Sequence, residues 1–90
     1  MNLDIFGNLM DWGLVLDKLD DLKKSETLHE HQAGLIRILR YRNNWKLRET
    51  VLEYITYLNE PSDEILTEVI NIMMDESVYL DARILAANAL

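Results

Sequence analysis

Hydrophobic residues recur every three or four positions along nearly the whole chain, and strict alternation is not found. The first such pattern consists of Leu9, Trp12, Val15, Leu16, Leu19 and Leu22. Because this spacing places apolar side chains on one face of a helix, it predicts an amphipathic helix, which Gly7 and Gly13 weaken near its start. The same spacing predicts further helices at about 28–42, 45–59, 62–75 and 78–90. The pattern therefore predicts an all-α fold of about five short helices.

Polar residues and the single proline separate the predicted helices. Thr27 to Glu30 matches a capping box, in which a hydroxyl and a carboxylate accept hydrogen bonds from free backbone N–H groups. Asn43-Asn44 favours a turn, Pro61 ends the third helix, and Ser62 is expected to cap the fourth. Since these connections are short, successive helices are predicted to be antiparallel neighbours.

Two segments of the chain occur twice at almost the same interval. Leu35-Ile36-Arg37-Ile38-Leu39 returns 34 residues later as Val69-Ile70-Asn71-Ile72-Met73, and the segment 47–55 returns 35 residues later as 82–90. A period of this length is typical of stacked helical hairpins, each of which needs a neighbour to cover its apolar faces. It favours a solenoid over an up-down bundle, because a bundle has no need of an internal repeat.

The second of these segments resembles the second helix of a HEAT repeat. The shared pattern is Leu47-Arg48-x-x-Val51-Leu52-x-Tyr54-Ile55 and, more closely, Ala82-Arg83-x-x-Ala86-Ala87-x-Ala89-Leu90. The resemblance implies a short α-solenoid of antiparallel helical hairpins at 28–59 and 62–90, with residues 1–27 as an N-terminal capping helix, all in one compact domain. It also implies a structural role for Arg48 and Arg83, which would tie one repeat to the next.

The sequence departs from the HEAT pattern near both of its ends. Gly13 stands where a third motif arginine would lie, so the first helix is interpreted as a degenerate cap. The sequence stops at Ala89-Leu90 in mid-motif. This predicts either a fragment of a longer solenoid or an unfinished apolar edge, through which the C-terminal helix would self-associate.

Composition and charge narrow the classes of function. A chain of 90 residues with 49% hydrophobic and 28% charged residues is typical of a folded domain, and the absence of cysteine excludes disulfides and thiolate sites. No apolar run is long enough to span a bilayer, so a cytoplasmic protein is expected. The net charge of −7 disfavours nucleic acid and anionic membranes. The charge is uneven: residues 31–48 carry +5, whereas residues 49–90 carry −8.

Residues suited to catalysis or metal binding are few. His29 and His31 are two positions apart and would point to different sides of a helix, so they cannot share a metal. Carboxylates such as Glu49 and Glu53 are better explained as a solvated face than as an acid/base pair, and no phosphate loop or calcium loop is found. We therefore expect no enzyme activity, no cofactor and no metal.

Two charged surfaces remain as candidate binding sites. In HEAT-like stacks the second helices line the concave side, which here would present Lys46, Glu49, Glu53, Tyr57, Asp81 and Asn88. This acidic face would suit a basic protein, with Tyr57 and Trp45 as aromatic anchors. The alternative patch is Arg37, Arg40 and Tyr41, which would dock an acidic segment or a phosphate, or else form internal bridges to Glu64, Glu68 and Asp75 of the fourth helix.

The sequence thus favours a non-catalytic scaffold or adaptor module that binds a protein partner. The alternative is a small acidic inhibitor or immunity-type protein that blocks a basic enzyme, as the size and the charge of −7 would allow. A lyase or nucleic-acid-binding HEAT-like protein is a third hypothesis, and the acidic balance argues against it.

Overall fold

Five α-helices make up most of the molecule. The computed structural model describes residues 5–58 and 60–90, and within these ranges it contains no strand. The helices are α1 (Trp12–Lys24), α2 (Gln32–Leu39), α3 (Trp45–Tyr54), α4 (Asp63–Met74) and α5 (Leu80–Ala89). Short 3-10 helices precede α2 (Leu28–His31) and follow α3 (Ile55–Tyr57). The all-helical prediction is confirmed, although the predicted helix at 28–42 is divided in two and α3 ends earlier than expected.

Side-chain caps fix the start of two helices. The Ser62 hydroxyl accepts a hydrogen bond from the backbone N–H of Ile65 at 3.2 Å, as predicted. The Asn44 amide oxygen accepts one from the N–H of Leu47, also at 3.2 Å, so the turn at Asn44 is also the cap of α3. Each cap satisfies one of the N–H groups that a helix start leaves without a partner.

The predicted capping box at Thr27 is wrong. Thr27 has φ −113° and ψ 12°, which is not the extended conformation of a capping residue, and its side chain makes no cap hydrogen bond. The Thr27 hydroxyl instead lies 2.7 Å from that of Ser25. The physical reason is the end of α1, where the N–H of Thr27 donates to the carbonyl of Leu22 and Glu26 adopts a left-handed φ of 60°.

The helices pack as two adjacent pairs. α2 packs against α3, and α4 packs against α5. The pairs meet through α2 on α4 and through α3 on α5, while α1 packs against α3. One hydrophobic core runs through all five helices, and its largest fully buried side chains are Leu19, Leu35, Ile38, Leu39, Leu47, Leu52, Ile55 and Ile65. Trp12 departs from its predicted place in this core, because it lies at the first position of α1 and is 50% exposed.

The overall dimensions are those of a compact globular protein. The radius of gyration is 12.1 Å, and a folded chain of this length is expected to have about 12 Å. None of the helices in the two described ranges is long and apolar enough to cross a bilayer. The first four residues of the predicted cap, and Asn59 at the end of the first predicted hairpin, lie outside the described residues. The division into a cap and two solenoid repeats stays a prediction.

Candidate interaction surfaces

The predicted concave surface falls on α3, α5 and the 3-10 helix after α3. We call Lys46, Glu49, Glu53, Tyr57, Asp81 and Asn88 the second-helix face. On α3 its members are three and four residues apart, and on α5 they are seven apart, so each set lies on one side of its helix. All are exposed except Glu49, which is half-buried. The structure therefore leaves these side chains open to a partner.

The carboxylates of the second-helix face have no ionic partners in the described parts of the chain. Neither Glu49, Glu53 nor Asp81 forms an ion pair there. Asp20, Glu68 and Asp75 are paired, the last two with Arg40 at 2.7 Å and with Arg42 at 3.5 Å, whereas other exposed carboxylates such as Glu30, Glu60 and Glu76 also form no ion pair among the described residues. The negative charge of this face is thus not used to hold the fold together.

The two predicted aromatic anchors have different surroundings. Tyr57 is 58% exposed, and the Nζ of Lys23 lies 4.8 Å from its ring centroid and 5.2 Å from that of Tyr54. Trp45 is half-buried: its ring meets that of Tyr79 edge-on at 4.8 Å, and the Arg48 guanidinium lies 4.4 Å from its centroid. Tyr57 is therefore accessible, whereas Trp45 is engaged inside the molecule.

The alternative patch is brought together as one groove. Arg37, Arg40 and Tyr41 line a cavity of about 640 Å³ with residues 7–10 and Asn43. Both arginines are already bonded: Arg37 Nη2 donates to the carbonyl of Gly7 at 2.6 Å, and Arg40 Nε donates to Oε1 of Glu68 at 2.7 Å. The internal bridge that the sequence allowed between the second and fourth helices is confirmed for Arg40.

The two motif arginines make the same contact at equivalent places. Arg48 Nε donates to the carbonyl of Leu39 at the end of α2, and Arg83 Nε donates to the carbonyl of Met73 near the end of α4, both at 2.9 Å. A guanidinium at a helix C-terminus satisfies a free carbonyl and opposes the negative end of the dipole. Each contact lies within one hairpin, which differs from the link between repeats that the resemblance implied.

Arg48 has a second environment that the sequence did not reveal. Its side chain is buried, and its Nη1 is buried without a hydrogen-bond partner among the described residues. Burial lowers the pKa of Arg48, and the charge of Arg42 lowers that pKa further. Arg48 also lines a cavity of about 270 Å³, here called the arginine cleft, whose walls are Leu39, Arg40, Arg42, Arg48, Glu68, Asn71, Ile72 and Asp75. The only sequence signal was the excess of basic residues in 31–48.

The exposed edge of α5 lies where self-association was predicted. Leu80, Ile84 and Leu90 are 65%, 48% and 55% exposed. Pairing through this edge stays a prediction.

Among the described residues no group of three or more His, Asp or Glu side chains is placed to hold a metal ion.

Comparison of the chain with protein-family models, with curated proteins and with solved structures gives no significant match.

Proposed function

We propose that this protein is a non-catalytic binding module that holds a basic protein partner on its second-helix face. The observation that carries the proposal is that Glu49, Glu53 and Asp81, which form no ion pair among the described residues, are grouped on two helices that pack against each other. Paired carboxylates have an internal role, whereas unpaired ones on one surface remain available to cationic side chains.

The proposed architecture is a short HEAT-like α-solenoid of two hairpins and a capping helix. Two observations support it. The hydrogen bond from Arg48 to the Leu39 carbonyl has an equivalent in the other hairpin, from Arg83 to the Met73 carbonyl. First helices also pack on each other, α2 on α4, as do second helices, α3 on α5. Such an arrangement would place α3 and α5 side by side and join their exposed sides into one surface.

The proposed mechanism is rigid presentation combined with electrostatic attraction. Five of the six residues of the face lie on α3 or α5, and these helices are anchored by the buried side chains Leu47, Val51 and Ala82. A surface held this way avoids most of the ordering cost that a loop incurs on binding. The net charge of −7 would speed the encounter with a basic partner at low salt.

The test compares two triple variants of equal charge in a pulldown from source-cell extract. Glu49→Gln/Glu53→Gln/Asp81→Asn neutralises the face. Glu30→Gln/Glu60→Gln/Glu76→Gln removes the same charge from exposed positions outside it. A protein retained by the native chain and by the control, but lost by the face variant, supports the proposal. If both variants retain the same proteins as the native chain, or if the native chain retains none, the proposal fails.

The same unpaired face would serve a small inhibitor of a basic enzyme, which is the second candidate function. This function differs from a scaffold in its kinetics, because an inhibitor that masks a cationic active site relies on fast, salt-sensitive association. An association rate that is equal at low and at high salt would remove the basis of the inhibitor hypothesis.

A further inference from the structure

The arginine cleft is a charged cavity on a different part of the molecule from the second-helix face. It lies where the end of α2, the start of α3 and the second half of α4 meet. Arg40, Arg42 and Arg48 border it, and so do two carboxylates, those of Glu68 and Asp75. The cleft therefore carries one excess positive charge, in a protein whose net charge is −7.

Arg48 is the residue that makes the cleft more than a surface ion-pair cluster. Its side chain is 4% exposed, its Nε is used by the carbonyl of Leu39, and its Nη1 has no partner among the described residues. A buried donor without an acceptor is costly, and more so when it is charged. The contact with the Trp45 ring offsets the charge only in part, because a ring face accepts no ordinary hydrogen bond.

The other two arginines differ in how firmly they are held. Arg40 and Glu68 are joined at 2.7 Å, a distance typical of a strong charged hydrogen bond. Arg42 and Asp75 are 3.5 Å apart, and the Arg42 side chain is 70% exposed. Arg42 can therefore turn towards a ligand in the cleft without breaking a strong pair.

We infer that the arginine cleft binds a single carboxylate group, supplied by an acidic side chain of a protein partner. Arg42 at the rim donates to an oxygen of the ligand, the positive charge of the buried Arg48 adds to the attraction, and the ligand neutralises the excess charge. A planar guanidinium fork matches a carboxylate well. A phosphate dianion fits less well, because Glu68 and Asp75 already border the cleft and repel a second negative charge.

The size of the cleft agrees with this ligand. A volume of about 270 Å³ is far above the roughly 15 Å³ that one ordered water requires. Water would fill the cleft but would leave its one excess positive charge unbalanced. An anion also opposes the repulsion between the guanidinium groups of Arg42 and Arg48.

Trp45 supplies the assay, because its ring lies 4.4 Å from the Arg48 guanidinium. In a Trp12→Phe background it is the only tryptophan. Sodium acetate is titrated against sodium chloride at constant ionic strength, and the tryptophan emission is recorded. We expect a saturable change with acetate and none with chloride. Sodium phosphate, titrated in the same way, should saturate only at higher concentration.

Three variants separate binding from a structural role. Arg42→Gln should weaken acetate binding by about tenfold, as expected for the loss of one charged hydrogen bond, without affecting the buried core. Asp75→Asn should tighten it several-fold by removing a repelling charge. Arg83→Lys, which alters the equivalent arginine of the other hairpin, should leave it unchanged.

Three outcomes would overturn the inference that the cleft binds a carboxylate. No saturable response to acetate would mean that the cleft holds only water. A response that Arg42→Gln leaves unchanged would place the anion elsewhere. Tighter binding of phosphate than of acetate would show that the cleft takes a phosphoryl group, and the carboxylate assignment would be wrong.

Discussion

Ala86 and Ala87 are identical neighbours on α5 with opposite surroundings, and they allow a sharp test of the packing. Ala86 is fully buried, with 0% exposure, where α5 packs against α4 and α3, while Ala87 is exposed. Replacing either with leucine adds the same three carbon atoms to the same helix. The change in helix propensity is nearly equal at the two positions, so any difference in stability between the variants reports packing alone.

The expected magnitudes follow from burial. At Ala86 the larger side chain has no room in a close-packed core, and we expect Ala86→Leu to lower the free energy of unfolding by about 1–3 kcal/mol. At Ala87 the change should stay within about 0.5 kcal/mol. For a domain of this size each kcal/mol corresponds to about 4–8 °C in Tm, so Ala86→Leu should melt about 4–24 °C below the native chain.

The assay is thermal and urea unfolding of both variants, followed by circular dichroism at 222 nm. An unchanged urea m-value would show that the variants unfold from an equally compact native state. The packing described for α5 would be refuted if the two variants melted within about 2 °C of each other. It would also be refuted if Ala86→Leu were the more stable, because that result requires an unfilled space beside Ala86.

Three further predictions concern caps, backbone strain and pH. Ser62→Ala should lower the free energy of unfolding by about 1 kcal/mol, because the Ser62 hydroxyl caps α4. Thr27→Ala should lower it much less, because the Thr27 side chain makes no cap hydrogen bond. Urea unfolding of the two variants measures both changes. Glu26→Gly should raise the free energy of unfolding by about 1 kcal/mol, since glycine adopts the left-handed φ of 60° without strain. A Tm of the variant below that of the native chain would contradict this prediction. The pKa of Asp75 lies below its ordinary value of 3.8, chiefly because the Ser77 hydroxyl and then the Ser77 N–H donate to it. A depressed pKa in the folded state gives stability that is present above about pH 4 and is lost as the pH falls through the folded value. The native chain should therefore lose more stability than Asp75→Asn on acidification, and equal losses would show that the carboxylate is not stabilised.

The helices were predictable because their stability depends on local pattern and on core burial. Apolar spacing identified all five helices, and Ser62 was identified as a cap from its position before two acidic residues. Helix ends were less predictable. The end of α1 depends on a left-handed residue, Glu26, which is not a type that favours this conformation, so the sequence carried no sign of it.

The charged sites were predictable only where one helix determines them. The spacing of residues along α3 and α5 predicts which side chains share the exposed side of each helix, and these form the second-helix face. The arginine cleft could not, because it requires Arg48 of α3 to meet the ends of α2 and α4, and Asp75 to face Arg42. Those relations depend on how hairpins pack, and periodicity within one helix contains no information about it.

The order of packing along the chain has a consequence for how the protein folds. Each helix finds its main partners one or two helices away: α1 with α3, α2 with α3 and α4, and α5 with α3 and α4. Contacts within the α2–α3 and α4–α5 pairs require only short loops to close, so little chain entropy is lost before they form, and the contacts between pairs follow from them. Low contact order is associated with rapid folding, and we expect this chain to fold in the microsecond-to-millisecond range. A domain that folds this quickly spends little time with its apolar helix faces exposed.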